Sequence, residues 1–424
     1  MRMQVLIGVR LNIPGRMQLP FLILSLQKSF RTRHQKLSLW LKPVSPLQIL
    51  MIVFLIAVGI QLVYLFFFLT AFNRKREEGA EAQVPVSVIV CAHDEAENLR
   101  TLVPQLLSQE YPEFEVIIVN DRSNDSTFDY LLAETKNDPR LRMVNVKETP
   151  ERVNGKKYGI TLGIKAATHD WILLTDADCR PKGTQWIRSM SRYFNDGAQF
   201  VLGFSPYERR SGFLNLFLRF ETVLTAIQYF AFGWMKNPYM GVGRNLAYRK
   251  SLFLEQKGFN NFLHVTGGDD DLFVNMHARG ENTRLQLVPE SLVYSIPKTT
   301  WRAFYNQKIR HLSVGKRYRF SHRSLLGLFS LSWIITWLSW IVLIGWLLTT
   351  FAGSALLYAT ETYLIVVPFV LRCILLLLLF RSMLKKASLS FSLWTLPVLD
   401  FVYAIYYLST GLVALTTKKI RWRN

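Results

Sequence analysis

Trp171-Ile172-Leu173-Leu174-Thr175-Asp176-Ala177-Asp178-Cys179-Arg180-Pro181 is an apolar run that stops at two carboxylates spaced by one small residue. The run predicts a buried strand, and alternate positions of an extended chain share a face. Two like charges on one face repel each other unless a cation sits between or beside them. A site of hard oxygen ligands points to Mg²⁺ or Mn²⁺. For the spacing alone, a surface turn after a core strand is the plainer alternative, since Asp is common in turns. The flanking segments decide between the two.

Upstream, Val86-Ser87-Val88-Ile89-Val90-Cys91 is a β-branched run of the kind buried on both faces. Ala92-His93-Asp94-Glu95 and a helical pattern through Gln109 follow it. A second apolar run, Phe114–Val119, ends at Asn120-Asp121-Arg122-Ser123-Asn124-Asp125-Ser126. Another helix, a short strand (Leu141–Val146) and a helix from Gly155 to Ala167 lead into the Trp171 strand. Strands alternating with helices predict right-handed crossovers and a parallel, helix-covered sheet. Ligands of such sheets sit at the carboxyl ends of the strands. The polar clusters after the first, second and Trp171 strands all lie at such ends and are expected to converge. That convergence favours the cation reading of Asp176 and Asp178.

Downstream, Gly212–Trp234 is aromatic and apolar but carries Arg219 and Glu221, which favours a buried or interface-lying helix over a membrane span. Gly241–Tyr248 reads as a glycine loop entering a strand. Thr266-Gly267-Gly268-Asp269-Asp270-Asp271-Leu272 opens a helix to Gly280, and three consecutive carboxylates exceed what helix capping needs. Thr300–Tyr318 mixes Trp301, Phe304 and Tyr305 with five basic residues, as in a helix lying on an anionic membrane surface.

The 424-residue chain has a net charge of +21 and is 50% hydrophobic. The basic residues cluster beside long apolar segments, which fits a membrane protein with a basic cytosolic face and excludes a nucleic-acid binder. Three cysteines so placed offer neither a disulfide framework nor a C-x-x-C metal site, as suits a reducing compartment. Membrane spans are expected at 47–72, 325–351, 362–380 and, spanning or re-entrant, 389–415. They flank a soluble domain at 84–323, with interface helices near 212–234 and 300–318. Arg74-Lys75-Arg76 put their end of the first span in the cytosol. The basic segment 1–46 argues the other way, which an over-long start, with Met51 as the true one, would resolve. Arg381, Lys385 and Lys386 mark a cytosolic loop and the 352–361 link the outside. The basic tail at 418–423 then falls outside, against the charge rule. Arg372 and Asp400 are expected to pair within the bundle.

Taken in order, Val-Ser-Val-Ile-Val-Cys-Ala-His-Asp-Glu from Val86, Val-Asn-Asp-Arg-Ser-Asn-Asp-Ser-Thr from Val119, Asp-Ala-Asp at 176–178, Gly-Gly-Asp-Asp-Asp-Leu from Gly267 and Gln-x-x-Arg-His from Gln307 resemble the inverting family-two glycosyltransferases. These share an architecture with membrane-bound cellulose, chitin and hyaluronan synthases. The resemblance covers about Val84 to Tyr318 and implies an α/β domain of the GT-A (Rossmann-like) fold plus transmembrane helices. It implies transfer from a nucleotide-diphosphate sugar to a membrane-associated glycan or lipid acceptor hydroxyl. The enzyme would sit in the inner or plasma membrane with its catalytic domain in the cytosol.

Within that resemblance Asp178 is the direct metal ligand, and Asp176 approaches the ribose or the outer shell of the metal. Asp121 contacts the nucleotide base and Glu95 another nucleotide-side position; helix capping is the alternative for Glu95. Lys156 reaches the nucleotide or phosphate, with Lys157 competing for that role. The general base aligns with Asp269, but Gly268 replaces a usual Glu, so Asp269 and Asp270 both stay open; Asp271 reads as structural. Gln307 and Arg310 take acceptor and diphosphate roles, and His311 stands where processive synthases carry Trp. A smaller aromatic and only four spans favour transfer of one sugar or few. A processive polysaccharide synthase is the alternative within enzymes, and a non-catalytic sugar-nucleotide-binding membrane protein the alternative outside them.

Overall fold

The computed structural model describes residues 45–75, 79–80, 82–351 and 359–416. The expectations for residues 1–44, Arg76, most of the 352–361 link and the basic tail lie outside these described residues. The chain divides into two compact units, Met1–Ile52 and Val53–Asn424. The described part of the first is the opening of helix α1 (Pro46–Asn73).

The second unit builds a sheet after α1. Strand β1 (Val86–Ala92), helix α2 (Ala96–Leu107), strand β2 (Phe114–Asp121), helix α3 (Thr127–Asn137), strand β3 (Leu141–Val146), helix α4 (Gly155–Ala166) and strand β4 (Trp171–Asp176) alternate as expected. They are followed by β5 (Cys179–Pro181), α5 (Trp186–Ser191), β6 (Phe200–Leu202), α6 (Phe213–Trp234), β7 (Leu246–Arg249), α7 (Lys250–Glu255), α8 (Asp271–His277), β8 (Thr283–Leu285), β9 (Val293–Ser295) and α9 (Trp301–Gly315). The main sheet runs β3-β2-β1-β4-β7-β6-β8. Strands β3, β2, β1 and β4 are mutually parallel, as the βα alternation requires. The sheet as a whole is mixed rather than parallel, because β7 enters antiparallel to both β4 and β6. Helix α6 lies between β6 and β7 in the chain, yet the glycine loop after it returns β7 antiparallel to both of its neighbours.

The β-branched runs are buried because helices cover both faces. Val88, Val90, Val116, Ile118 and Leu173 sit in one core with Leu99, Leu102 and Trp186. Trp171 stacks on Phe194 with ring centroids 3.8 Å apart. Helix α4 lies close on the other face because Gly163 has no side chain there: a Cβ would come within 2.9 Å of Ile89 Cγ2 and Val119 Cγ2.

Helices α10 (Phe320–Phe351), α11 (Ala359–Lys386) and α12 (Leu396–Thr416) follow the domain. With α1, four helices among the described residues are long and apolar enough to cross a membrane. Helices α10 and α11 begin earlier than hydropathy alone places them, at Phe320 and Ala359, and α11 runs on to Lys386. Their outward faces carry Leu331, Val342, Val367 and Ile405, all exposed. The polar groups turn inward, as a lipid environment demands. Arg372 and Asp400 form a fully buried ion pair, Nη2 to Oδ1 2.9 Å, with the guanidinium 4.4 Å from the Trp333 ring. Helix α6 is buried on nearly every side. Its Phe220 stacks on Phe380 of α11 at 5.1 Å, so it is the seam between domain and bundle, not a helix lying on the surface.

Candidate active site

The parallel register brings the strand ends to one line. Cys91 of β1 lies opposite Val119 of β2 and Asp176 of β4, and Asp121 is two residues past Val119. Strand order reverses between β1 and β4, the switch point where a sheet of this kind opens a crevice. The thiol of Cys91 registers the charges gathered above it. Burial first, then Asp121, Asp176 and Asp269, push it up to about 12.

The loops after β1 and β2 are tied to each other. Asp94 Oδ1 accepts from the Asn124 N–H at 2.6 Å, and Asp125 Oδ2 accepts from the Ala96 N–H at 3.1 Å. Asp94 and Asp125 are thereby spent on holding the rim, which leaves Glu95 and Asp121 for other work. Glu95 opens α2 without capping it through its side chain. Its carboxylate accepts from Asn98 Nδ2 at 2.6 Å, and burial, with Asp178 nearby, raises its pKa. Asp121 is buried, and Arg122 donates to its carboxylate through Nε at 2.8 Å.

Lys156 and Lys157 lie at the start of α4 and point to different tasks. Lys156 Nζ is 2.8 Å from Asp176 Oδ1 and 3.4 Å from Asp269 Oδ2. Burial acts to lower its pKa, but Asp176 and Asp269 outweigh it and hold the ammonium well above its ordinary value. Lys157 is fully buried and donates to the carbonyls of Val265 and, at 2.6 Å, Gly267. Burial brings its pKa down to about 8. Lys156 thus faces the carboxylates, and Lys157 braces the loop that carries Asp269.

The three consecutive aspartates separate by partner. Asp270 caps α8, accepting from the Asp271 N–H at 2.8 Å and the Gly243 N–H at 2.7 Å. Asp271 accepts from the Tyr318 hydroxyl at 2.7 Å. Asp269 alone turns toward Lys156. Burial would raise its pKa, yet Lys156 and Lys157 overcome that and hold the carboxyl below its usual range. Gly267 and Gly268 reach this turn at φ +84 and +81, a region L side chains rarely adopt, and a Cβ on Gly268 would meet Leu272 Cδ1 at 2.7 Å. That backbone explains a glycine at position 268.

β4 ends at Asp176, and Asp178 follows in the turn before β5. The Ile296 N–H donates to the Asp178 carbonyl at 3.0 Å and fixes that turn. Burial, then Asp176, raises the pKa of Asp178 against the opposing charges of Arg244, Lys298 and Lys156. Arg244 and Lys298 escaped the sequence reading. Arg244 is the one charged residue of the glycine loop, which was its only signal, and its guanidinium lies 5.0 Å from the Tyr207 ring. Lys298 follows β9, which pairs with β5 just beyond Asp178, a tertiary neighbour no spacing reveals.

A cavity of about 600 Å³ takes in part of this cluster; Glu95, Asp121 and Asp178 lie outside its lining. Lys156, Asp176 and Asp269 line one end, with Arg244, Gln307, Arg310 and His311 beside them. Tyr207 donates to Gln307 Oε1 at 3.5 Å. Burial lowers the pKa of Arg310 against the pull of Asp269 and Asp176, and a guanidinium stays charged regardless. His311 is exposed to the cavity, whose wall, then Lys308 and Arg310, act to lower its pKa. The far end of the cavity is lined by Tyr403, Tyr406 and Tyr407 of α12.

A half-parallel sheet with acidic side chains gathered at its switch point has the layout of the GT-A fold. Residues 87–255 match the family model for "Glycosyl transferase family 2". It is 25% identical over 244 residues to the "Probable glycosyltransferase YdaM" of Bacillus subtilis (strain 168), a match covering 56% of each. A 93-residue stretch is 31% identical to the "Poly-beta-1,6-N-acetyl-D-glucosamine synthase" of Staphylococcus epidermidis, covering 22% of this chain and 21% of that one. The chain thus spans about half the length, or less, of these curated relatives. Among solved structures, a mannosyltransferase from Pyrobaculum calidifontis in complex with GDP-Man and Mn²⁺ shares the fold, with a TM-score of 0.53 and 17% identity over 81% of this chain and 99% of that one.

Proposed function

We propose that this chain is a membrane-embedded inverting glycosyltransferase that moves a sugar from a nucleotide-diphosphate sugar to a hydroxyl of a membrane-associated glycan or lipid. The observation that carries the reading is the single cavity running from Asp176, Lys156 and Asp269 to the tyrosines of α12. A soluble acceptor would need no path between the apolar helices.

The side chains divide the chemistry. Asp121 and Glu95 face the nucleotide. Asp176 is engaged by Lys156 at 2.8 Å, so Asp178 is the freer carboxylate and the better direct ligand for Mg²⁺ or Mn²⁺. Two carboxylates suffice where substrate phosphates and water complete the shell. When bound, the cation supplies Lewis-acid charge to the departing diphosphate; the Mn²⁺ of the mannosyltransferase complex is in keeping with this. Asp269 takes the proton of the acceptor hydroxyl as its oxygen attacks the anomeric carbon from the face opposite the leaving group. The bond from that carbon to the phosphate oxygen breaks, and the nucleoside diphosphate leaves. Lys156 keeps Asp269 ionised for this task. Arg310 and Gln307 face diphosphate and acceptor, and His311 lines the acceptor path.

The domain faces the cytosol, since the basic ends of α1 and α11 lie on its side. The similarity to a poly-N-acetylglucosamine synthase favours a second reading, a processive polymerase. Sizing the labelled product from purified full-length protein in native lipid separates the two. One or a few sugars in the organic phase support single transfer, and a long polymer overturns it.

A further inference from the structure

A second pocket lies apart from the catalytic carboxylates, where the domain meets the link between α11 and α12. It is small, about 190 Å³, and is lined by Arg209, Arg219, Tyr294, Ser388, Ser390 and Phe391 among others. Two guanidiniums share it, and among the described residues neither has a carboxylate within ion-pair distance. The nearby acid is already used: Glu208 Oε2 takes Arg210 Nη2 at 3.3 Å. Arg219 donates to the Ser390 carbonyl and lies 5.5 Å from the Phe391 ring, which aims its remaining N–H groups without neutralising it. Burial, then the charge of Arg209, lowers the pKa of Arg219, so the two cations are near enough to repel.

Such a pair is stabilised by an anion, and guanidinium forks match phosphate oxygens. The position names the source. Helix α11 ends at Lys386 and α12 starts at Leu396, so the intervening link sits where the apolar helices emerge. Trp394 in that link is 94% exposed, as expected of a ring at headgroup level. Lys385 and Arg381 are exposed on the same rim, and the cytosolic leaflet is the one rich in anionic lipid.

We infer that the Arg209–Arg219 pocket binds the phosphate of an anionic lipid headgroup and seats the catalytic domain on the membrane. This rests on the membrane reading of the four helices and not on the transferase reading.

The test uses full-length protein purified in a neutral detergent. Retained lipid is counted by native mass spectrometry during titration with phosphatidylglycerol, phosphatidylcholine or inorganic phosphate. Wild type should retain phosphatidylglycerol at least tenfold better than phosphatidylcholine. The Arg209→Gln/Arg219→Gln pair should lose that preference, and Arg219→Lys should keep part of it. Thermal unfolding in the same detergent shows whether each variant is folded, and Arg209→Gln alone serves if the pair is not. Equal retention by wild type and folded variants overturns the pocket. Competition by inorganic phosphate at equal concentration would make it a soluble-phosphate site and overturns the lipid. A chain that stays monodisperse without detergent sinks the membrane reading instead.

Discussion

Replacing Asp269 by Asn and Asp270 by Ala should produce opposite defects, although the two residues are adjacent. All three aspartates line the cavity, but Asp269 faces Lys156 at 3.4 Å while Asp270 and Asp271 are held by backbone N–H groups and the Tyr318 hydroxyl. Removing a positioned base costs roughly 10²–10⁴ in rate, or about 3–5 kcal/mol of barrier. The amide fills the same volume and Lys156 keeps Asp176, so the stability loss should stay below the about 3–5 kcal/mol of a buried charge left wholly unpaired. Asp270 instead holds the α8 cap and the Gly243 N–H. Losing a cap costs about 1 kcal/mol, and stranding a buried N–H about 1–3 kcal/mol more. The assay measures nucleoside diphosphate released per enzyme, beside thermal unfolding of each variant in detergent. Near-normal turnover by Asp269→Asn, with a collapse in a well-folded Asp270→Ala, would refute the assignment of the base.

Three further outcomes follow from buried groups. Lys157 has a folded pKa of about 8, below its unfolded value, so from about pH 8 to 10 the unfolded chain binds a proton that the folded chain does not. Wild-type stability should therefore gain with pH across that window relative to Lys157→Met, and parallel pH curves for the two would contradict it. Arg372→Met leaves Asp400 buried and unpaired and should cost about 3–5 kcal/mol, while Arg372→Met/Asp400→Leu recovers most of the loss; denaturation midpoints of both and of Asp400→Leu form the cycle. Gly163→Val forces methyl groups into Ile89 and Val119 and should lower stability by about 1–3 kcal/mol, read as a drop in unfolding midpoint.

Much of the domain could be read in the chain because its strands are buried on both faces. Val86–Ala92, Phe114–Asp121 and Trp171–Asp176 stand out as apolar runs closed by polar clusters, and the βα alternation dictates that those clusters meet. The antiparallel entry of β7 was not legible, since its direction depends on a tertiary turn. Sorting the aspartates was also beyond the sequence. Asp94, Asp125 and Asp270 are bound to backbone N–H groups, whereas Asp176 and Asp269 meet Lys156 at the cavity wall, and the residue type is identical in each case. The two lysines of Asn154-Gly155-Lys156-Lys157 part because one helical step of about 100° sends one side chain into the crevice and the other under a loop. Arg244 and Lys298 went unseen because nothing in their local pattern marks them; only the fold brings them to Asp178.

The central claim is that Asp176, Asp178, Lys156 and Asp269 form one donor site. The most direct measurement incubates purified full-length protein with a panel of uridine- and guanosine-diphosphate sugars and Mg²⁺ or Mn²⁺, and follows release of the nucleoside diphosphate. The account predicts release from at least one donor, lost on chelation and at least a hundredfold slower in Asp178→Asn. Unchanged release by a folded Asp178→Asn would contradict it.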